Sequence, residues 1–122
     1  MSKLNMSKQS MLVVDDSRLS RLMVKSFTEK CHPTWEIDEA ADANDAIEVS
    51  VNKDYSHITV DYNMPGMNGI DLIGLLKNKF PDAKIALITA NIQNTLKSES
   101  EEMGVSFISK PITEEKIISF VG

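Results

Sequence analysis

Short apolar runs alternate along this chain with segments in which apolar residues recur at helical spacing. The runs at residues 11–14, 57–60 and 84–89 are largely apolar and end at polar side chains, which is typical of strands buried on both faces of a parallel sheet. Residues 105–109 predict a further short strand. Residues 35–38 alternate between apolar and acidic positions, and this pattern predicts a half-exposed edge strand.

The segments between these runs predict helices. The first should follow Ser17, a good N-cap residue, and end near His32-Pro33; its spaced positions are Leu19, Leu22, Met23, Ser26 and Phe27. The second is predicted over residues 42–51, and its inward positions should be Ala43, Ala46, Ile47 and Ser50. The third should start after the turn residues Asn68-Gly69, with an apolar stripe of Ile70, Ile73, Leu76 and Phe80.

The last two helices differ in strength. The fourth, over residues 92–103, is weak because its apolar positions reduce to Ile92, Leu96 and Met103, and Gly104 should close it. Thr113 is expected to cap the fifth, with Glu114 and Glu115 in the first turn, where the helix dipole favours acids. Ile112 and Phe120 would supply apolar docking area near this helix, although Phe120 is also a candidate core residue.

Strict alternation of strands and helices predicts an α/β fold, a doubly wound five-stranded parallel sheet with helices on both faces. The pattern by itself leaves the strand order open. A chain of 122 residues fits one domain. We expect it to cover residues 10–122, after a flexible polar tail at residues 1–9 that does not resemble a signal peptide.

Composition and net charge limit the compartment and the partners that we expect for this protein. The single cysteine, Cys31, indicates a reducing compartment, so we expect a cytoplasmic protein. No apolar run approaches the roughly 20 residues of a membrane span, and membrane insertion is not expected. A net charge of −5 argues against direct nucleic-acid binding, which requires a basic face.

Polar side chains follow the predicted strands at the edge where all carboxyl ends should meet: Asp15-Asp16, Asp61, Thr89 and Lys110. Crowded carboxylates raise one another's pKa unless a cation lies between them, and Mg²⁺ prefers such oxygen ligands. A lysine and a threonine suit phosphoryl oxygens instead. The set predicts a phosphoryl-transfer site. The scattered His32 and His57 are interpreted as structural.

The motifs Val-Val-Asp-Asp, Val-Asp-Tyr-Asn-Met-Pro-Gly-Met-Asn-Gly, Ile-Thr-Ala and Ser-Lys-Pro occur in that order. Together they resemble the receiver domains of two-component response regulators, in particular the stand-alone chemotaxis type. The resemblance covers residues 10–121. It implies the flavodoxin-like strand order 2-1-3-4-5. It also implies a protein that phosphorylates and dephosphorylates itself without being a turnover enzyme.

The resemblance further implies roles for individual residues. Asp61 would accept a phosphoryl group from a cognate histidine kinase or phosphotransfer protein. Asp16, Asp61 and the Asn63 backbone carbonyl would bind Mg²⁺, with Asp15 acting through a water. Thr89 and Lys110 would hold phosphoryl oxygens, and Thr89 and Phe107 would form the switch. A downstream protein would bind the face of residues 92–120.

Two features depart from the chemotaxis type. Ile112 follows Lys110-Pro111 where that type has an aromatic residue, which argues against a flagellar-motor target. The uncharged Asn63 and Asn91 occupy the places where the family tunes dephosphorylation, so we expect an unexceptional phosphoryl lifetime.

Three other interpretations are weighed against this one. A haloacid-dehalogenase-like phosphatase would need its nucleophile after the first strand, followed two residues later by a second Asp, and Asp15-Asp16 lacks that spacing. A flavodoxin-like electron carrier would place a phosphate where Asp15-Asp16 repel it. A degenerate receiver that only binds a partner is disfavoured because all five site residues are present.

Overall fold

The computed structural model describes residues 9–122, so the predicted tail lies outside the described residues apart from Gln9. Five strands alternate with five helices in this part of the chain. Their bounds are β1 Ser10–Val14, α1 Arg18–Cys31, β2 Glu36–Ala40, α2 Ala43–Val49, β3 His57–Asp61, α3 Gly69–Lys79, β4 Lys84–Thr89, α4 Asn94–Glu102, β5 Ser106–Ser109 and α5 Glu114–Val121.

The strands form one parallel sheet in the order β2-β1-β3-β4-β5. This confirms the predicted α/β class and the strand order that the family resemblance implied. β2 lies at one edge, as its alternating sequence predicted, and β5 lies at the other. Within residues 9–122, no helix combines the length and the apolarity that a membrane span requires.

Hydrophobic clusters cover both faces of the sheet, and alternate strand residues belong to opposite clusters. Leu12 and Val14 of β1 pack in a larger cluster with α3 side chains such as Leu72. Met11 and Val13 pack in a smaller one; its α1 and α5 members include Val24, Ile117 and Phe120. Burial on both faces explains why the sequences of the central strands β1, β3 and β4 are largely apolar rather than alternating.

The predicted helix caps are present. The Ser17 side chain accepts the Ser20 N–H at 3.2 Å and begins α1. Thr113 accepts the Lys116 N–H at 3.3 Å and begins α5. Gly104, with φ of 74°, follows α4 in the left-handed conformation that a helix end favours.

The buried faces of the first two helices differ from the prediction. Val24 and Thr28 are the buried residues of α1, whereas Leu19 and Leu22 are exposed. The Thr28 hydroxyl donates to Val24 O at 2.8 Å, which allows a polar side chain to be buried there. Ile47, predicted to point inward, is exposed in α2, while Ala43, Ala46 and Ser50 are buried. Apolar spacing alone could not identify these faces.

The fourth helix is shorter than predicted. α4 begins at Asn94 rather than at Ile92, and Gln93 makes no side-chain cap hydrogen bond. Ile92 is 72 % exposed in the preceding loop. Leu96 and Ser100 are the buried residues of this helix, so it has few anchors on the sheet, as its sequence indicated. Two smaller differences concern element ends: β5 starts at Ser106 rather than at Val105, and α2 ends at Val49 rather than at Val51.

The suggestion that Ile112 and Phe120 offer apolar docking area is wrong. Both side chains are buried, with 7 % and 4 % of their surfaces exposed, inside the smaller cluster. The reason is that α5 packs back onto the sheet and buries the stripe that contains Phe120. Exposed apolar surface in residues 92–120 comes instead from Ile92 and Ile118.

Both histidines take part in a row of rings. His32 stacks on Trp35 at 4.0 Å, Trp35 contacts His57 at 4.7 Å, and His57 contacts Phe120 edge-on at 5.6 Å between ring centroids. Burial, reinforced by the charge of Lys84, lowers the pKa of His57 to about 4. A structural role for His57 follows from these contacts.

This shift predicts an acid-sensitive contribution to stability. As pH falls below about 6.5, the unfolded chain protonates His57 while the folded protein does not until about pH 4, so folding becomes less favourable across that window. Relative to His57→Gln, the wild type should lose roughly 1–2 kcal/mol of unfolding free energy between pH 7 and pH 4, allowing for partial solvent exposure. Urea denaturation at several pH values measures the difference. Parallel pH profiles for the two proteins would contradict it.

Candidate functional site

The ends of four strands bring the predicted site residues to one edge of the sheet. Asp61 is the last residue of β3, and Thr89 is the last residue of β4. Asp15-Asp16 follow β1, and Lys110 follows β5. The register pairs Val14 with Val60, Asp61 with Ile88, and Thr89 with Ser109. The edge therefore gathers side chains that are distant in sequence.

Three carboxylates form a cluster at this edge. Asp15, Asp16 and Asp61 each place a carboxylate oxygen within 4.8 Å of the others. Asp15 and Asp61 are each only 3 % exposed, whereas Asp16 is exposed. Negative charge is thus concentrated where little solvent can screen it.

The partners of Asp15 leave one oxygen unsatisfied. Its Oδ1 accepts the Ser17 N–H at 2.9 Å. Its Oδ2 is buried and has no hydrogen-bond partner within the described part of the chain, although Lys110 Nζ lies at 3.7 Å. Arg21 donates to the backbone oxygen of Asp15 at 2.7 Å and pairs with Glu39 at 3.0 Å. A buried carboxylate oxygen in this state is suited to a further cation or donor.

Lys110 contacts the cluster from the end of β5, which is separated from β3 by β4. Its Nζ lies 3.1 Å from Asp61 Oδ1. Its backbone N–H donates to Thr89 O at 2.9 Å, which continues the pairing of β5 with β4 by one residue. The ammonium therefore lies beside Asp61 because the strand register places its backbone there.

The electrostatics show that this ammonium does not neutralise the cluster. Burial and the nearby charge of Asp15 raise the pKa of Asp61 to about 6, despite the opposing effect of Lys110. Burial also raises the pKa of Asp15, although the Ser17 N–H and Lys110 act against it. Burial by itself lowers the pKa of Lys110, but its hydrogen bond to Asp61 and the charge of Asp15 outweigh this and raise it. An additional cation would relieve the remaining repulsion.

The other predicted site residues lie near the same edge. Thr89 is fully buried, and its Oγ1 accepts the Asn91 N–H at 3.0 Å. Asn63 is exposed in the loop that follows β3. Phe107 is half-buried, lies opposite Leu87 in the sheet, and packs against the larger cluster.

Gly69 has a role that the sequence pattern did not reveal. A Cβ atom at this position would lie 2.5 Å from Asp61 O and 2.8 Å from Tyr62 Cα. The Gly69 N–H donates to Tyr62 O at 2.9 Å. Close approach of α3 to the end of β3 therefore requires glycine here. The pair Asn68-Gly69 was recognised as a turn signal, but this packing constraint depends on tertiary structure.

Arg21 and Lys116 also contact segments that carry site residues, although neither was predicted from the sequence. Arg21 binds the Asp15 backbone, and Lys116 binds the loop that carries Lys110. A signal existed for Lys116, since a lysine in the first turn of a helix opposes the helix dipole.

The residues at this edge fit a divalent cation. The cluster offers hard carboxylate oxygens, one of them buried and without a hydrogen-bond partner. Mg²⁺ takes one or two such carboxylates and commonly retains waters and phosphate oxygens. The donor set thus suits Mg²⁺ better than a softer metal.

The fold and the acidic strand-end site are those of a two-component receiver domain. The chain belongs to the response regulator receiver domain family, whose sequence profile matches residues 11–121. It is 32 % identical over 109 residues to the chemotaxis protein CheY of Thermotoga maritima, covering 88 % of this chain and 89 % of that protein. It is equally 32 % identical to protein CcdB of Bacillus subtilis over 111 residues, which is 90 % of this chain and 92 % of that protein.

A solved structure supports the same fold. Chemotaxis protein CheY4 of Vibrio cholerae superposes with a TM-score of 0.83 at 24 % identity, covering 93 % of this chain and 96 % of that one. Family membership excludes the phosphatase and flavodoxin interpretations.

The charge cluster predicts that removing one carboxylate stabilises the metal-free protein. The pKa of Asp61 is raised to about 6 in the fold from 3.8, so ionised Asp61 opposes folding above that pH. Asp61→Asn should raise the unfolding free energy by roughly 1–2 kcal/mol at pH 7.5 in EDTA, and the gain should fade as pH falls below 6. Asp82→Asn, at an exposed carboxylate away from the cluster, is the matched control. A gain independent of pH would contradict this account.

The same cluster predicts a response to Mg²⁺. A cation that binds only the folded protein raises the melting temperature by mass action. Millimolar Mg²⁺ should therefore stabilise the wild type and Asp82→Asn, and should have little effect on Asp15→Ala. In EDTA, Asp15→Ala itself should gain about 1 kcal/mol, because one buried like charge is removed. A wild-type melting curve that is indifferent to Mg²⁺ would be the contrary result.

Proposed function

We propose that this receiver domain is a phosphorylation-controlled switch in which Asp61 accepts a phosphoryl group from a cognate histidine kinase or phosphotransfer protein. The observation that carries the proposal is the position of the Asp61 carboxylate. It ends a central strand, 3.1 Å from Lys110 Nζ and within 4.8 Å of two further carboxylates. That combination of a nucleophile, an ammonium and a cation-binding cluster is what phosphoryl transfer requires.

The step would proceed by attack of an Asp61 carboxylate oxygen on the phosphorus of a phosphohistidine. A new O–P bond forms, giving an acyl phosphate. The N–P bond breaks, and its electron pair returns to the imidazole nitrogen of the donor. Since the pKa of Asp61 is about 6, the carboxylate is mostly ionised at neutral pH and available as the nucleophile.

Asp16, Asp61 and the Asn63 backbone carbonyl would hold Mg²⁺, with Asp15 contributing through a water. When bound, the ion supplies positive charge to the phosphoryl oxygens. Lys110 is already beside Asp61 and would contribute a second positive charge at the phosphoryl group. The Thr89 hydroxyl accepts the Asn91 N–H, and its own O–H would donate to a phosphoryl oxygen.

The link from Thr89 to the loop before α4 supports a switch mechanism. Asn91 N–H donates to Thr89 Oγ1 at 3.0 Å, and the Gln93 N–H donates to Asn91 Oδ1 at 3.0 Å. A movement of the Thr89 hydroxyl towards a phosphoryl group would therefore pull on the start of α4. That helix has only Leu96 and Ser100 buried, so shifting it should cost little.

Phe107 would respond to the same movement. It is half-buried on the strand next to Thr89, and we expect its ring to change rotamer when Thr89 moves. A difference of a few kcal/mol between the two arrangements is enough for phosphorylation to reverse their populations. The face of residues 92–120 would then bind a downstream protein partner, with Ile92 and Ile118 as exposed apolar contacts.

Other parts of the proposal concern what the protein does not do. We expect self-phosphorylation and self-dephosphorylation rather than catalytic turnover on a separate substrate. The uncharged Asn63 and Asn91 would give the acyl phosphate an unexceptional lifetime. A cytoplasmic location and the lack of direct nucleic-acid contact remain predictions from the sequence.

Phosphorylation is tested with a small-molecule donor. Incubation with acetyl phosphate and Mg²⁺ should add one phosphoryl group to the wild type, detected by intact mass, and EDTA should prevent it. Asp61→Asn should remain unlabelled and Asp82→Asn should label normally. Labelling of Asp61→Asn at the wild-type level would show that another residue is the acceptor. A folded wild type that never labels would favour the partner-binding receiver without phosphorylation.

Coupling to the distant face is tested by NMR with beryllofluoride, a phosphoryl mimic. Backbone and side-chain shifts should extend over residues 89–120 as well as around Asp61. Thr89→Ala should suppress the distant shifts and retain the local ones, because it removes the hydroxyl that joins the two regions. Thr34→Ala, at an exposed loop position, should behave as the wild type. Distant shifts that survive in Thr89→Ala would rule out this route.

A further inference from the structure

The segment that carries Lys110 has weak support from the sheet. Lys110 N–H donates to Thr89 O at 2.9 Å, but the next residue, Pro111, has no N–H with which to continue the ladder. β5 is an edge strand of four residues, so within residues 9–122 its outer side has no neighbouring strand. The backbone around Lys110 therefore needs hydrogen-bond donors from elsewhere.

One side chain of α5 supplies them. Lys116 Nζ donates to Ser109 O at 2.8 Å, to Ser109 Oγ at 3.2 Å and to Pro111 O at 3.1 Å. An ammonium has three donors, and all three are directed at the residues immediately before and after Lys110. Its own backbone is held by the Thr113 cap, through the Lys116 N–H.

The sequence position of Lys116 argues against a role in helix stability. It occupies the third position of α5, after Glu114 and Glu115. Near a helix N-terminus a cation is unfavourable, whereas the two acids that precede it are favourable. A residue that opposes the local preference of its helix indicates a compensating function elsewhere, and the contacts with Ser109 and Pro111 identify it.

We propose that Lys116 is a positioning residue for Lys110: it holds the segment from Ser109 to Pro111 so that the Lys110 ammonium lies beside Asp61. This inference rests on the proposed phosphoryl-acceptor function and adds a residue to it. Without Lys116, the Ser109 and Pro111 carbonyls would form hydrogen bonds with water instead. The Lys110 ammonium would then sample positions away from the 3.1 Å contact with Asp61.

A double-mutant cycle separates positioning from general stability. Lys116→Met keeps the aliphatic stem and removes the donors, and the rate of labelling by acetyl phosphate should fall roughly tenfold, as expected for a misplaced catalytic group. Lys116→Arg retains the charge and the donors and should recover most of the rate. In a Lys110→Met background, Lys116→Met should cause no further loss, because the group that it positions is absent.

Lys30→Met is the matched control. Lys30 pairs with Glu114 in the first turn of α5 at 3.0 Å, so this variant also removes a lysine contact to that turn without touching the Ser109–Pro111 segment. Its labelling rate should equal that of the wild type.

Mg²⁺ binding should be retained or tightened in Lys116→Met, since a displaced ammonium leaves Asp15 and Asp61 more negative. A merely destabilised fold would instead lose both Mg²⁺ binding and labelling.

Three results would overturn the inference: no loss of rate in Lys116→Met, an equal loss in the wild-type and Lys110→Met backgrounds, or an unchanged Lys110 side-chain amine resonance. The resonance is measured by NMR and needs no phosphoryl transfer. It should move in Lys116→Met and stay in place in Lys30→Met. Failure of the wild type to label would count against the proposed function, and the resonance would still decide the position of Lys110.

Discussion

The properties of the candidate site depend on the repulsion among three carboxylates at one edge of a parallel sheet. Asp15 and Asp61 are almost fully buried, and the Asp16 carboxylate lies within 4.8 Å of theirs. The fold tolerates them because a backbone N–H, at Ser17, and an ammonium, at Lys110, each offset part of the charge. The unsatisfied remainder suits the site to a further cation.

Lys110, which offsets part of this charge, and Thr89 beside it are held by elements on the other side of the site. Lys110 follows the edge strand β5, and Thr89 ends β4 beside it. Thr89 is joined to the loop before the weakly anchored α4. The Lys110 segment is joined to α5 through Lys116. Under the proposed function, a change of charge at Asp61 would therefore act on α4 and on the segment beside β5. Moving a helix in which only Leu96 and Ser100 are buried would cost little free energy.

Packing limits how far sequence patterns could predict the helix faces. The central strands were identified well because both of their faces are buried, so most of their positions are apolar. Helix faces were less certain where a polar residue is buried with a local hydrogen bond, as at Thr28, and where an apolar residue stays exposed, as at Leu19. For Phe120 the core was favoured over a docking surface, and the return of α5 onto the sheet places it in the core.

The sequence by itself determined the alternation of strands and helices and the polar residues at the strand ends, because both follow from local periodicity and from the convergence of parallel strands. Tertiary structure decided the distances. The buried, unsatisfied oxygen of Asp15, the need for glycine at position 69 and the three contacts of Lys116 all arise between segments distant in the chain. Such contacts depend on how the elements pack against one another. That packing cannot be inferred from the local residue pattern of any one element.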